Sequence, residues 1–585
     1  MVNCWLGIII LYFLLLLNCH QSTATPSRRI IYRFTDCNAE QLQHLPKLAA
    51  VYELSAVTCN ISTLPNAYFT RFTTLAALEV RESGLSKIED NALSGLDRLQ
   101  WLSLPWNYIT SVKPWCQTSL KALHTLDLEG NAVKALTVES FVRFPNLQYL
   151  SLASNMLERI DDAIFIHLPH LKHLNLANNR LSVIDASYFR GMQHLAHLSL
   201  QNNAIERISA DSFASNTHLR SLLLNGNKLQ DLDFLSSRAL PRLLHLNVSH
   251  NQIETATVFG SGAGEGGEWA LIDLDLSWNR LGEIKVETLS GLSGILYLNL
   301  SANTIRLVAA SCLDNLINLE TIDLSANNLT RLPAGLFATT TQLQRVNLSR
   351  NALTVIQADL FARLPYLRTL DMSQNQLSSG AFIAHLSPLL PHFALTLDLS
   401  ENHLTRFDGD AMAALEVSAA SVDLSGNWWH CQWLIAELVR APAHFHFGRN
   451  YSLAASWSEA LLNVSGIDCY DAERERSIVV LDAGRLWERR YSKGDTECST
   501  FVAPAIPTPP PLAWPRVRMD RFDSRSIIIW MLIAIGLAFA GLRIARQLID
   551  RREQHRRLKK LRAMKAEELS RLTTSVKVKS NEEQN

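Results

Sequence analysis

The sequence has no excess charge of either sign. Its 55 Lys and Arg balance 55 Asp and Glu over 585 residues, so net charge points to no polyanionic partner, and no nucleic-acid ligand is expected. It also lacks the constellations that catalysis needs. No nucleophile–base pair or metal motif stands out, so neither enzyme activity nor a bound cofactor or metal is expected. The glycines of Phe-Gly-Ser-Gly-Ala-Gly-Glu-Gly-Gly-Glu at 259–268 echo a phosphate loop. No Lys follows and no strand–loop–helix context surrounds them, so they read as a flexible insertion. Residues 546–585 contain no tyrosine and match no signalling domain. A chain this long exceeds one compact core, which leaves several domains or an elongated array.

Long apolar runs are scarce as well, and two stand out. Residues 6–17 form a short apolar stretch followed by small residues around Ser22 and Ala24. That layout predicts a signal peptide over 1–24, although no Lys or Arg precedes the apolar core. Residues 526–545 are long enough for a single transmembrane helix, at about 1.5 Å per residue. A proline-rich stalk at 501–525 comes before this run, and the basic segment 546–585 follows it. Such basic residues belong on the cytoplasmic side. The expectation is a single-pass plasma-membrane protein with an extracellular N-terminal portion and a short cytoplasmic tail. Residues 551–572 of that tail read as a basic helix drawn to anionic lipid.

The rest of the chain is periodic. Leu-x-x-Leu-x-Leu-x-x-Asn-x-Leu fits at 147–157, 171–181 and 319–329. The asparagine recurs from Asn107 to Asn427, almost always at a step of 24 residues, with Cys59 and Ser83 in the same slot of two earlier units. Alternating leucines in an extended segment face one way and the intervening residues the other. A buried asparagine amide satisfies backbone groups where the chain bends. A further apolar residue, often phenylalanine (Phe141, Phe165, Phe189, Phe213, Phe361), fills the opposite side. No repeat buries its own core, so both ends need caps.

This pattern resembles the extracellular leucine-rich repeat family. The resemblance implies an α/β-type solenoid, a horseshoe with a parallel concave β-sheet built from about 16 repeats over 51–427. It also implies an N-terminal cap at 25–50 and a cysteine-containing C-terminal cap at 428–500. Family C-terminal caps open Asn-Pro-Trp-x-Cys-x-Cys and carry four cysteines. Here Asn427-Trp-Trp-His-Cys-Gln-Trp-Leu434 has Trp433 in place of the second. The resemblance therefore implies a Cys431–Cys469 bridge and leaves Cys498 over, a candidate for a disulfide-linked homo- or heterodimer. Cys37 and Cys59 flank the start of the repeats and are read as a staple, although Cys59 also occupies an asparagine slot. Cys116 and Cys312 lie too far apart along the array to pair and read as small buried residues.

Seven Asn-x-Ser/Thr sequons are glycosylation candidates: Asn60, Asn247, Asn299, Asn328, Asn347, Asn450 and Asn463. Asn247, Asn299 and Asn347 fall between strand leucines, so glycans there would cover the concave face from the ninth repeat onward. The sequon-free half carries Trp101, Trp106, Tyr108, Tyr149, His173 and His197, the candidate ligand surface, with His245 further along. Neighbouring strands put His173 and His197 near 5 Å apart, which is pH-sensitive chemistry more than a metal site. The aspartates Asp275, Asp323, Asp371, Asp398 and Asp423 are expected to point to solvent. The repeat style and the Trp-x-x-Cys-x-Trp-Leu cap opening are similar to the insect leucine-rich immune proteins, including their transmembrane subgroup. That likeness implies recognition of an extracellular protein or pathogen-surface ligand in innate immunity, with signalling through a partner chain. A developmental adhesion or axon-guidance role is the alternative.

Overall fold

The computed structural model describes residues 30–430, apart from 44–47, 114, 118, 163, 237–238, 261–268, 387–394 and 418–420, together with 433, 445–446, 468–471 and 476–480. The signal peptide, stalk, membrane span and tail expected above lie outside the described residues, as do Cys431, Cys498, Asn450 and Asn463. Cys469 falls in the strand Asp468–Asp471, but its expected partner is not described. Among the described residues no helix is long and apolar enough to cross a membrane.

Each Leu-x-Leu segment forms a strand of about three residues, as at Tyr149–Ser151, His173–Asn175 and His197–Ser199. The central leucines Leu150, Leu174 and Leu198 are almost fully buried. Successive strands pair in parallel and in register, Tyr149 beside His173 and His173 beside His197. They build an 18-stranded sheet that takes one strand from each repeat. Ile30–Thr35 joins it beside the first repeat strand, Val51–Val57, and Phe445–His446 pairs with Ser421–Asp423 at the other end. The phenylalanines stack along the far side, Phe141 on Phe165 at 5.8 Å and Phe189 on Phe213 at 5.6 Å. All of this apolar material forms one continuous core.

One part of the expected α/β-type architecture differs. The side opposite the sheet is made of turns, 3-10 segments such as Ile164–His167, and two-stranded pairs such as Val183–Ile184 with Arg207–Ile208. The α-helices among the described residues are Ala39–Gln43 and Gly409–Val417. A 24-residue unit must cross the core twice and turn twice, which leaves little chain for several α-turns.

The asparagine ladder supplies the polar spine. Asn155 Nδ2 donates to Leu128 O at 3.0 Å in the preceding repeat and to Leu152 O at 3.1 Å in its own. Its Oδ1 accepts the Val133 N–H at 3.0 Å. The longer repeats leave this spine intact: Asn279 still reaches Val248 O at 3.0 Å and Asn402 reaches Met372 O at 2.9 Å. Ser83 keeps a reduced version, donating to Arg81 O at 2.7 Å and accepting the Cys59 N–H at 3.1 Å. Cys59 bonds covalently to Cys37, with a Cα–Cα distance of 4.3 Å. Its asparagine slot and its disulfide are one feature. The slot faces the preceding turn, which for the first repeat is the cap segment just past the strand Ile30–Thr35, where Cys37 lies.

Candidate binding surface

The residue before the strand's central leucine starts each strand and faces outward. Trp101, Tyr149, His173, His197 and His245 all occupy this column. Strand pairing brings them into one row: the Tyr149 and His173 rings sit 6.1 Å apart, and those of His173 and His197 stack at 4.5 Å with planes 2° from parallel. Stacked imidazoles do not converge on a shared point. Among the described residues no cluster of three or more His, Cys, Asp or Glu could hold a metal ion.

Trp101, Tyr149, His173 and His245 are half-buried and His197 is more exposed, and the packing of ring on ring sets the charge of the row. His173 falls from the usual 6.5 to about 4, chiefly through burial, with the neighbouring His197 and Lys172 charges adding to it. His197 is lowered by burial first, then by His245 and Arg220. Both rings are therefore neutral at physiological pH. Further along the column, His245 Nδ1 lies 3.5 Å from a carboxylate oxygen of Asp273 on the next strand.

Trp106 and Tyr108 sit elsewhere. They follow the strand Trp101–Ser103, in the turn that carries the ladder asparagine Asn107, and both are exposed. Trp106 has φ +56°, and the residue before every ladder asparagine is likewise left-handed, including Ser154, Trp278 and Arg350. That conformation costs a non-glycine residue about 1–2 kcal/mol. It aims the N–H at the next repeat, as Trp106 N–H does at Glu129 O, 2.7 Å away. In the next repeat Gly130 holds this position, and a Cβ there would meet the Trp106 indole at 2.5 Å. Glycine is what lets that ring lie flat.

The next strand position corrects one expectation. The aspartates do not simply point to solvent: Asp275 Oδ1 accepts the Ser277 N–H at 3.0 Å and its Oγ–H at 2.7 Å, and Asp398 and Asp423 bind Ser400 and Ser425 in the same way. Burial pushes the Asp275 and Asp398 carboxyls up, and the serine bonds oppose it. Asn247, Asn299 and Asn347 make the same turn with Ser249, Ser301 and Ser349. Their Oδ1 is engaged in this turn, and the three side chains are half-buried. Asn60 and Asn328 are exposed.

The sulfur sites are simpler. Cys116 and Cys312 are buried, and burial pushes their thiol pKa values up, to about 11 and about 12. That makes them poor nucleophiles. Trp433 packs against the core, stacked on Trp429 at 5.0 Å and edge-on to Phe407 at 5.8 Å.

The sequence reading missed a recess of about 310 Å³ beside the row, lined by His124, Asn146, Gln148, His170, Lys172 and His194. Lys172 Nζ donates to Gln148 Oε1 at 3.1 Å, and the His194 Nδ1 lies 2.9 Å from Pro169 O. The available signal was register. His170 and His194 are one repeat apart, like His173 and His197, so sequence spacing already aligned them.

Comparison with known proteins agrees with this architecture. The leucine-rich repeat family model matches residues 121–181, 169–229, 270–329 and 317–377, and a two-copy leucine-rich repeat model matches 217–260. No curated protein matches the sequence. Among solved structures, a leucine-rich repeat protein of Leptospira interrogans is 23% identical with a TM-score of 0.54, covering 66% of this chain and 94% of its own. Drosophila Toll, solved in complex with Spatzle, is 20% identical with a TM-score of 0.58, covering 71% of this chain and 57% of its own. The APL1 leucine-rich repeat domain is 24% identical with a TM-score of 0.45, covering 62% and 83%. At these identities the likeness to the Leptospira protein and to Toll is one of fold.

Proposed function

We propose that this chain, a leucine-rich repeat protein, is a cell-surface recognition protein that binds an extracellular protein or pathogen-surface ligand through its solenoid. The observation that carries the proposal is the aligned row of Trp101, Tyr149, His173 and His197 on the part of the sheet without sequons. A packed row of aromatic and imidazole rings offers contact area at little conformational cost. The architecture favours binding over chemistry, since leucine-rich repeat solenoids are interaction scaffolds and no catalytic arrangement accompanies this one among the described residues. Toll, solved with its partner Spatzle, has the same fold, which supports a protein ligand.

In the same reading, residues 1–24 direct secretion and 526–545 anchor the chain, so the solenoid faces outward. The short tail then transmits signals through a partner chain, joined through Cys498. The insect immune resemblance favours pathogen recognition in innate immunity. The test uses the full chain displayed on insect cells and fluorescent heat-killed bacteria as probe. Binding that falls in a Trp101→Ala, Tyr149→Ala double variant of equal surface level supports the reading. Absent binding, or binding unchanged in the variant, refutes it.

A further inference from the structure

Beside the row lies a surface whose charge the balanced composition hides. His170, His194, His218 and Arg242 occupy the same position in four successive repeats, each exposed. One column nearer the strands, His124, Lys172 and Arg220 recur every second repeat, also exposed. Six consecutive segments make up this flank: 121–125, 145–149, 169–173, 193–197, 217–221 and 241–245. None contains Asp or Glu. The acidic residues return at its two limits, Asp97 in the preceding repeat and Asp273 in the following one.

Parallel pairing in strict register turns the sequence columns into ridges, with neighbouring positions about 4.8 Å apart at the strands. The ring pairs His170–His194 at 5.9 Å and His194–His218 at 6.1 Å show that the side chains follow this spacing. No ion pair of the described residues engages Lys172, Arg220 or Arg242. The recess between His124, His170, Lys172 and His194 adds a concave donor site within the ridge. Asp127 ends the strand Thr125–Asp127 and Glu129 follows it, on the far side of the row, and burial holds both carboxyls above their usual range. All the sequons within strands begin at Asn247, C-terminal to the ridge.

We infer that this flank binds an anionic glycan, a polysaccharide bearing sulfate or carboxylate groups on successive sugars. The fixed cations Lys172, Arg220 and Arg242, interleaved with imidazole donors, fit a chain whose negative groups repeat along its length. Single-stranded nucleic acid fits less well, because the two outer columns hold no Phe, Tyr or Trp, the broad rings on which successive bases stack best. Lipid fits less well too, because the same columns expose no large apolar side chain to insert. The site is additional to the protein ligand proposed above and does not depend on it.

The test uses the full chain purified in mild detergent and immobilised heparin as probe. The wild-type chain is expected to bind at low salt and to be released as salt screens the contact. Lys172→Glu with Arg220→Glu is expected to weaken binding by about tenfold. Lys134→Glu with Arg306→Glu, two exposed cations outside the ridge, is expected to leave it unchanged. Equal thermal melting of the variants establishes that folding is intact. The inference is overturned if the wild type ignores heparin at low salt, or if both double variants weaken equally. Tighter binding to single-stranded DNA of matched charge, or to phosphatidylserine vesicles, also overturns it.

Discussion

Removing one ladder amide should cost less than its count of hydrogen bonds implies, for a reason visible only in three dimensions. Asn303 Oδ1 accepts the Leu281 N–H at 3.1 Å, and its Nδ2 donates to Leu276 O, Leu300 O and Ser301 O at 3.0, 3.1 and 3.2 Å. The three carbonyls are doubly served. Leu276 O keeps Asn279 Nδ2, Leu300 O keeps Asn327 Nδ2, and Ser301 O keeps the Trp278 N–H. Asn303→Ala therefore strands a single buried group, the Leu281 N–H, at about 1–3 kcal/mol. Weaker carbonyl bonding and a small void bring the expected loss to roughly 2–4 kcal/mol. Asn303→Asp keeps the acceptor but turns a carboxylate toward three carbonyl oxygens, so it should be worse than alanine. Asn303→Ser, imitating Ser83, should be the mildest. Urea unfolding gives the order, and hydrogen exchange at the Leu281 amide gives the location. Aspartate proving the mildest, or alanine costing under about 0.5 kcal/mol, would refute the account of the ladder as a shared polar spine.

Three further outcomes follow from other parts of the molecule. Replacing Cys37 and Cys59 by serine opens a loop with a sequence separation of 22. The cap should lose about 3 kcal/mol, read as an earlier chemical unfolding transition and faster exchange in Val51–Val57. His173 protonates more readily unfolded than folded, because its folded value is about 4 against the usual 6.5. The unfolded chain therefore binds more protons in this window, and stability should fall as pH drops from about 6.5 toward 4. His173→Gln should flatten that part of the pH curve, and an unchanged slope would contradict the burial argument. Finally, the proposed partner bond predicts a higher-mass species on a non-reducing gel that disappears on reduction and in Cys498→Ser. A wild-type chain running only as monomer would end that proposal.

Much of the fold was legible because its information is local and repeated. A leucine pair at spacing two and an asparagine three residues later recur at the same step, and each recurrence tests the same pattern. Asn155 and Asn303 fill the buried polar slot that the pattern assigns them. The candidate surface was legible only in part. Tyr149, His173 and His197 share a strand column and form one row, whereas Trp106 and Tyr108 lie past the strand end. The sequence pattern does not mark where a three-residue strand stops, because strand length depends on how neighbouring turns pair.

Sequence by itself determined the period, the identity of the core positions and the order of side chains along each outward column. Those follow from alternation and from the polar demand of a buried bend. Tertiary structure decided what the columns become. Register set the imidazoles of His173 and His197 face to face, and burial made them neutral. It seated the aspartates in bonds to serine and joined Cys59 to the cap. It also gathered His170, His194, His218 and Arg242, each 24 residues apart in a chain of zero net charge, into one basic ridge. Composition sums charge over the chain, whereas parallel strands in register place every repeat's charge beside its equivalent.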